Sequence, residues 1–419
     1  MDALSVKAVK LDQEDKLSSF RSKFLIPKTK EGQECIYLCG NSLGLQPTSV
    51  RNAVEQELKD WELFGVHGHH EAKFPWYRYH EFLTDSMAKV VGAQPAEVVM
   101  MNTLTVNVHL MMVSFYRPTS NRHKILIEYS AFPSDRYAVE SQIRFHGYDP
   151  ETSLIILQPK EGTNYIDRDQ MEEVFDQHGD SIALALIGSV NYYTGQAYPI
   201  RFLTQLAHHK GIPIGFDLAH GAGNLLLSLH EDGPDFAVWC GYKYLNGGPG
   251  TLAGCFVHER HHGQAELPRF AGWWGHNKET RFKMGPKFDL MPGAEGWQLS
   301  NPPILPLACL RESLDIFQAA GMQAIRHKNL AMGSFLLEGL QAINHPNLEV
   351  ITPIADEERG AQLSIRIRNA DRLVFEKLTA GGVVADWREP DVIRVAPVAL
   401  YNRFSELVDF LILLKKCIE

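Results

Sequence analysis

FDLAHGAGN (residues 216–224), followed by WCGYKYLNGGPG (239–250), decides the reading of this chain. Asp217 closes IPIGFDLA (212–219), a run whose preceding residues are almost all apolar. Lys243 stands just past the next apolar run, DFAVWCGY (235–242), 26 positions later (243 − 217 = 26). A carboxylate at the end of an apolar run is costly unless a specific group pairs with it. If the two runs are neighbouring strands, acid and amine reach the same rim of one sheet. That pair suits a pyridine aldehyde cofactor. The lysine amine condenses with the aldehyde, and the acid keeps the ring nitrogen protonated so that the ring can accept electrons. On spacing alone, an ordinary ion pair between two strand ends stays open.

Outward from this block the pattern repeats. KILIEYS (124–130), TSLIILQP (152–159), SIALALIGSV (181–190) and GCFVHER (254–260) are further short runs rich in Val, Ile, Leu and aromatics. They predict strands buried on both faces, the habit of parallel sheets covered by helices. YRYHEFLTDSMAKVVGA (77–93), VNVHLMMVSFY (106–116) and PSDRYAVESQIRFHG (133–147) predict the helices. The alternation gives an α/β domain with a mainly parallel sheet, whose ligands sit at the carboxyl ends of the strands. After the Pro-rich SNPPILPLA (300–308) the pattern changes. A long helix over 313–343, interrupted near Gly321, precedes a strand (QLSIRIR, 362–368), a helix (DRLVFEKLTAGG, 371–382), two strands within 383–398 and a last amphipathic helix from 404. The expected organisation is an N-terminal segment, 1–40, packing with a small C-terminal α+β domain, 309–419, and a large cofactor-binding domain over 41–308.

Several residues fall at the same expected rim. Thr103 and Thr105 sit at a helix start, where free backbone N–H groups and the helix dipole favour a phosphate, although a plain N-cap reads the same way. Phe132, after KILIEYS, suits stacking on a flat ring or simple core packing. Tyr242 lies beside Lys243, and GGPG (247–250) either lets backbone pass close to a ligand or makes an ordinary turn.

The formal net charge of −9 argues against a nucleic-acid or anionic-membrane surface. No apolar run is long enough for a membrane span, and the first residues mix charges without a secretion signal, so a cytoplasmic protein is expected. The six cysteines do not make a disulfide framework. GNSLG (40–44) matches the nucleophile elbow of serine hydrolases, but few residues precede Ser42 to build the strands such an elbow needs. HGAGNLL (220–226) fails G-x-G-x-x-G because Leu226 stands at the third glycine. His67, His69 and His70 predict a solvated loop rather than a metal site, as no Cys or acidic cluster accompanies them.

CGNSLGLQP, LTVNVHL, AFPSD, NYYTGQ, GFDLAHGAGN, GYKYLN, GWWGH, RFKM, SNPPI and IRVAPVALYN, in this order between residues 39 and 403, make the chain resemble the kynureninase family. The resemblance implies the fold type of aspartate aminotransferase and pyridoxal 5'-phosphate held as a Schiff base on Lys243. It implies hydrolysis of L-kynurenine or 3-hydroxy-L-kynurenine to anthranilate or 3-hydroxyanthranilate plus L-alanine, a step of tryptophan catabolism that feeds NAD biosynthesis. By the same resemblance, Lys243, Asp217 and Tyr242 are catalytic, with Asp217 on the pyridine nitrogen. His220 lies close by, Leu104, Thr105 and Tyr242 surround the phosphate, and Phe132 stacks in the segment Phe132, Pro133, Ser134, Asp135. Trp273 and Asn301 reach the site from the second subunit of a homodimer. Arg394 clamps the substrate carboxylate, a bidentate task suited to guanidinium; Ser42, His69 and Asn301 also touch substrate. His69 and Asn301 stand where relatives that prefer 3-hydroxykynurenine carry His and Asn. Where some relatives place a Ser contact, this chain has Gly188 followed by Ser189, and that position is left outside the expected site.

Two rivals remain within reach of the same motifs. A cysteine desulfurase or related aminotransferase needs a reactive cysteine on a mobile loop, yet the cysteines fall mostly in apolar segments. A non-catalytic regulator of the same fold has no reason to keep Lys243, Asp217 and Arg394 together.

Overall fold

The computed structural model describes residues 1–369 and 372–419. Seven strands form the central sheet: β1 (Val98–Met101), β2 (Lys124–Glu128), β3 (Leu154–Leu157), β4 (Ile182–Gly188), β5 (Ile214–Asp217), β6 (Phe236–Trp239) and β7 (Ala253–Val257). Their spatial order is β1-β7-β6-β5-β4-β2-β3. Adjacent strands from β6 through β3 pair in parallel, while β7 runs antiparallel to both β6 and β1. The sheet is therefore mainly parallel, as the apolar runs require, and its inner strands β4, β5 and β6 are buried along their length save for Gly188 at the end of β4. β1 was not expected. VVMM is only four residues between two helices, too short for its period to show.

Register fixes what stands at the rim. Gly188 pairs with Asp217 and Asp217 with Val238, so the ends of β4, β5 and β6 lie level. Within the sheet, small residues face large ones. Gly215 pairs with Phe236, whose ring stacks on Phe115 with centroids 5.0 Å apart. Gly254 pairs with Trp239 in the same way. A methyl group on either glycine would fall inside the partner's ring.

The smaller sheet contains β8 (Leu348–Val350), β9 (Leu363–Ile367), β10 (Asp386–Arg388) and β11 (Val392–Val395), in the order β10-β11-β9-β8, all antiparallel. Helices Met322–Ile343 and Phe404–Ile418 cover it through Met332, Phe335, Leu336, Leu407 and Leu411. The N-terminal helix Asp2–Glu14 adds Leu4 and Ala8 to this core, and Ile36–Tyr37 pairs with Val383–Val384. A helix runs over Leu373–Ala380; its expected start at Asp371 lies outside the described residues.

The expected boundary at 308/309 is corrected. It falls inside a helix, Ile304–Ala320, whose Leu307, Leu310, Leu314 and Phe317 belong to the large core. Pro302 and Pro303 mark the start of that helix rather than a linker, since proline is tolerated before the first turn. The chain then turns at Gly321, at φ +77°, and the small core begins within the helix Met322–Ile343. Among the described residues, no helix is long and apolar enough to cross a membrane.

Gly215→Ala should lower the unfolding free energy by about 1–3 kcal/mol through overpacking against Phe236. Denaturant unfolding at fixed pH measures this; an unchanged midpoint would show that the Phe236 ring moves aside freely.

Candidate active site

The carboxyl ends of β2, β4 and β5 and the segment after β6 enclose a cavity of about 240 Å³. Two helix N-termini open onto it, Leu104–Phe115 after Thr103 and Pro133–Phe145 after Phe132. The Thr105 and Ser134 hydroxyls share a hydrogen bond of 2.8 Å between them. Free backbone N–H groups from two helices, flanked by hydroxyls, make a cradle for a phosphate. Pro133 supplies no N–H but fixes the first turn of its helix.

Asp217 and Lys243 meet in this cavity, and both are buried. One Asp217 oxygen accepts the Ala219 N–H at 2.6 Å. The Lys243 ammonium lies 5.6 Å from the centroid of the Phe132 ring. Asp135 is hydrogen-bonded to Asp217; burial, then the Asp217 charge, pushes the Asp135 carboxyl well above the usual carboxylate range. Burial, then the Lys243 charge, holds His220 well below the usual histidine range, so its ring is neutral. Asp135 Oδ1 and His220 Nδ1 are buried without partners. Burial likewise pushes the Tyr242 hydroxyl up, which keeps it a proton donor. A lysine, a strand-end acid, unpaired buried polar atoms and a phosphate cradle around one small cavity fit pyridoxal phosphate.

The sequence reading missed Glu128, whose signal matches that of Asp217: a lone acid closing an apolar strand. Its Oε2 accepts the Gly188 N–H at 3.0 Å. Burial pushes its carboxyl up to about 7 against the pull of that N–H, and the Asp217 charge adds to the shift. A Cβ at Gly188 would lie 2.7 Å from Glu128 Oε1, so the glycine makes room for the acid. Tyr192, also unanticipated, lines the cavity and meets the Phe132 ring edge-on at 5.3 Å.

Arg394 and Ser42 do not line this cavity. Arg394, on β11, is buried beside it and paired with Asp386; the Ser42 hydroxyl donates to the same carboxylate at 2.9 Å. Ser42 is no nucleophile elbow. Gly44 N–H donates to the Tyr242 carbonyl at 2.8 Å, and a side chain at 44 would strike the backbone at Lys243 and Asn246, so GNSLG is shaped to dock on the lysine segment. His69, Trp273 and Asn301 lie outside the cavity of this chain. The His69 ring meets Trp76 edge-on, and Tyr77 connects His70 to Trp274, the neighbour of Trp273, so the His69–His70 segment and Trp273 belong to one aromatic cluster. Trp273 is 43% exposed there. His67, His69 and His70 belong to neither group of possible metal ligands among the described residues, Glu97–His230–His258 and His80–Glu81–Glu295.

Residues 325–414 match the family model described as the kynureninase C-terminal domain. The chain is 53% identical over 403 residues to a kynureninase of Myxococcus xanthus, covering 96% of this chain and 95% of that one. It is 54% identical to one of Koribacter versatilis with the same coverage. The chain belongs to the kynureninase family. Beyond the kynureninases, the fold is shared with an apo cysteine desulfurase from Thermococcus onnurineus, at TM-score 0.77 and 16% identity over 96% of this chain and 97% of that one. A C-DES variant with glycine covalently linked to its PLP cofactor gives TM-score 0.77 at 17% identity, over 91% and 96%. The desulfurase rival thus survives only as a likeness of fold. Burial pushes the Cys39 and Cys240 thiols each up to about 11, away from the thiolate a desulfurase would need.

Because the folded pKa of Glu128 lies above its ordinary value near 4.5, the folded protein holds this proton where the unfolded chain has lost it. Stability therefore falls as pH rises from about 4.5 to about 7, by up to about 3 kcal/mol from this group. Glu128→Gln should flatten that slope in the cofactor-free protein, compared by urea unfolding at pH 5 and pH 8; an unaltered slope would place the proton elsewhere.

Proposed function

We propose that the chain hydrolyses L-kynurenine and 3-hydroxy-L-kynurenine to anthranilate or 3-hydroxyanthranilate and L-alanine, with pyridoxal phosphate on Lys243. The observation that carries this is the Lys243–Asp217 pair under two converging helix N-termini, in a chain about half identical to kynureninases over nearly its whole length. Bound there, pyridoxal phosphate supplies an electron sink for negative charge developing at the substrate Cα.

The residues divide the remaining work. Asp217 holds a proton on the ring nitrogen, and the buried, protonated Asp135 beside it completes the hydrogen-bonded pair. Leu104, Thr105, Ser134 and Tyr242 would hold the phosphate, and Phe132 would stack against the ring. Neutral His220 packs near Asp217 without adding positive charge. With the cofactor bound, the Lys243 amine would be the base that takes the substrate Cα proton and the acid that finally restores it to Cα. Water adds to the γ-carbonyl, the Cβ–Cγ bond breaks with its electrons going to Cβ, and a proton delivered there completes alanine. Tyr242, with its hydroxyl held neutral, is placed to pass that proton. Arg394 takes the substrate carboxylate.

His69, Trp273 and Asn301 complete the neighbouring subunit's site in a two-fold homodimer. What supports this is that all three lie outside their own chain's cavity, with Trp273 43% exposed. There His69 and Asn301 offer hydrogen-bonding groups that a 3-hydroxyl can satisfy, and a site built for a hydroxyl rejects the analogue lacking it.

Holoenzyme incubated with kynurenine should release anthranilate and alanine in equal amounts, with a higher kcat/KM for 3-hydroxykynurenine. Lys243→Ala should abolish turnover. No aryl product from the holoenzyme would overturn the assignment, and equal kcat/KM values would remove the role of His69 and Asn301 in substrate choice.

Mixing inactive Lys243→Ala chains with inactive Asn301→Ala chains should restore activity, since a hybrid dimer contains one intact site. Failure to complement despite demonstrated subunit exchange would refute shared sites.

A further inference from the structure

Arg394 is 1% exposed, so its charge is almost wholly out of water. Nη1 donates to the Tyr192 carbonyl at 2.6 Å, Nη2 donates to Asp386 Oδ2, and Nε is buried with no partner. Asp386 stands directly opposite Arg394 on the β10–β11 ladder. The same Oδ2 also accepts the Ser42 hydroxyl at 2.9 Å and Arg388 Nη2 at 3.1 Å. One oxygen thus gathers three donors, from the N-terminal segment, β10 and β11. Both guanidinium carbons lie within 6 Å of the Tyr192 ring centroid, at 5.9 Å for Arg388 and 5.8 Å for Arg394, and Tyr192 lines the cavity.

The charges decide what this arrangement does. Two guanidiniums against one carboxylate leave a single positive charge, the complement of one incoming carboxylate. Without Asp386 the two cations would face each other at close range, and Arg394, buried and lacking a counter-ion, would swing from its place. With Asp386 on Nη2 and a main-chain carbonyl on Nη1, the guanidinium plane is fixed, and Nε and the remaining N–H groups stay available. We propose that Asp386 is a positioning residue that aims Arg394 at the substrate α-carboxylate, and that Ser42 acts through Asp386 rather than by touching substrate. This rests on the reading of Arg394 as the carboxylate-binding residue.

The test uses holoenzyme and two ligands, kynurenine and the amine that lacks only its α-carboxylate. Asp386→Asn should raise KM for kynurenine on the order of tenfold, the worth of one charged hydrogen bond, while kcat stays within about threefold. Affinity for the carboxylate-free amine, read from the change in cofactor absorption, should not move. Ser42→Ala, which removes one neutral donor to the same oxygen, should raise KM about two- to threefold with the same selectivity, and it serves if Asp386→Asn fails to fold. Arg394→Lys separates the two layers of inference. If Arg394→Lys leaves carboxylate binding unchanged, the role of Arg394 itself is wrong. If Arg394→Lys weakens it while Asp386→Asn or Ser42→Ala does not, or if either weakens both ligands equally, the positioning role is overturned.

Discussion

A carboxyl group and a lysine amine held out of water at one rim of a parallel sheet set the terms for everything around them. Burying a charge costs several kcal/mol unless hydrogen bonds and an opposite charge repay it. Asp217 receives a backbone N–H from Ala219, and the rim supplies one ammonium, Lys243. That single ammonium cannot compensate three carboxyls. Asp135 accordingly holds its proton and Glu128 keeps its own up to about pH 7, both driven first by burial and then by the Asp217 charge. His220 gives up its charge for the mirror-image reason, with Lys243 and the two arginines nearby. The site is therefore mostly neutral polar groups around one opposed pair, the setting in which a charged ring nitrogen finds its partner without competition.

Close packing keeps that pair in place. Lys243 lies in a segment that crosses the GNSLG turn at the Gly44 contact, where a side chain would collide with the lysine's own carbonyl. Gly241 packs equally close to Leu252, at the start of the path into β7. The lysine backbone is thus clamped between the N-terminal segment and the antiparallel strand, so its side chain enters the cavity from a fixed origin. This also accounts for the false resemblance to a nucleophile elbow: the glycines of GNSLG serve a backbone contact, and its serine points at Asp386.

Asp217 and Lys243 were legible in the sequence because each interrupts or closes an apolar run, where a charge has no bland explanation. Glu128 carried the same signal in KILIEYS but had no partner in sequence to give it meaning; its importance lies in the register that sets Gly188 beside it. Asp386 was not legible at all. It sits in ADWREPD among other charges, and only the antiparallel register of β10 and β11 shows that it faces Arg394. The misplaced boundary has a comparable origin, since the pattern changes after SNPPILPLA, yet Leu307, Leu310, Leu314 and Phe317 behind it enter the large core. His69 and Asn301 could be named only from the resemblance, and neither lines the cavity of this chain.

Lys243 lies at the rim of the central sheet and Arg394 on β11 of the smaller sheet, so their separation depends on the seam between the two sheets. NYYTGQ, the turn after β4, supplies that seam through consecutive carbonyls. Tyr192 O accepts from Arg394 and Gln362, Tyr193 O from Ser364 and Thr194 O from Thr352. Asn191 braces the turn from within, its Oδ1 accepting the N–H groups of Tyr193 and Thr194. Pulling the domains apart would strand buried donors on one side and carbonyls on the other, at about 1–3 kcal/mol for each. The turn thus does two things at once: it places the Tyr192 ring on the cavity wall, and it anchors the guanidinium at a set distance from Lys243. The spacing between Lys243 and Arg394 is thus fixed by main-chain hydrogen bonds before anything enters the cavity, which is the physical content of preorganisation here.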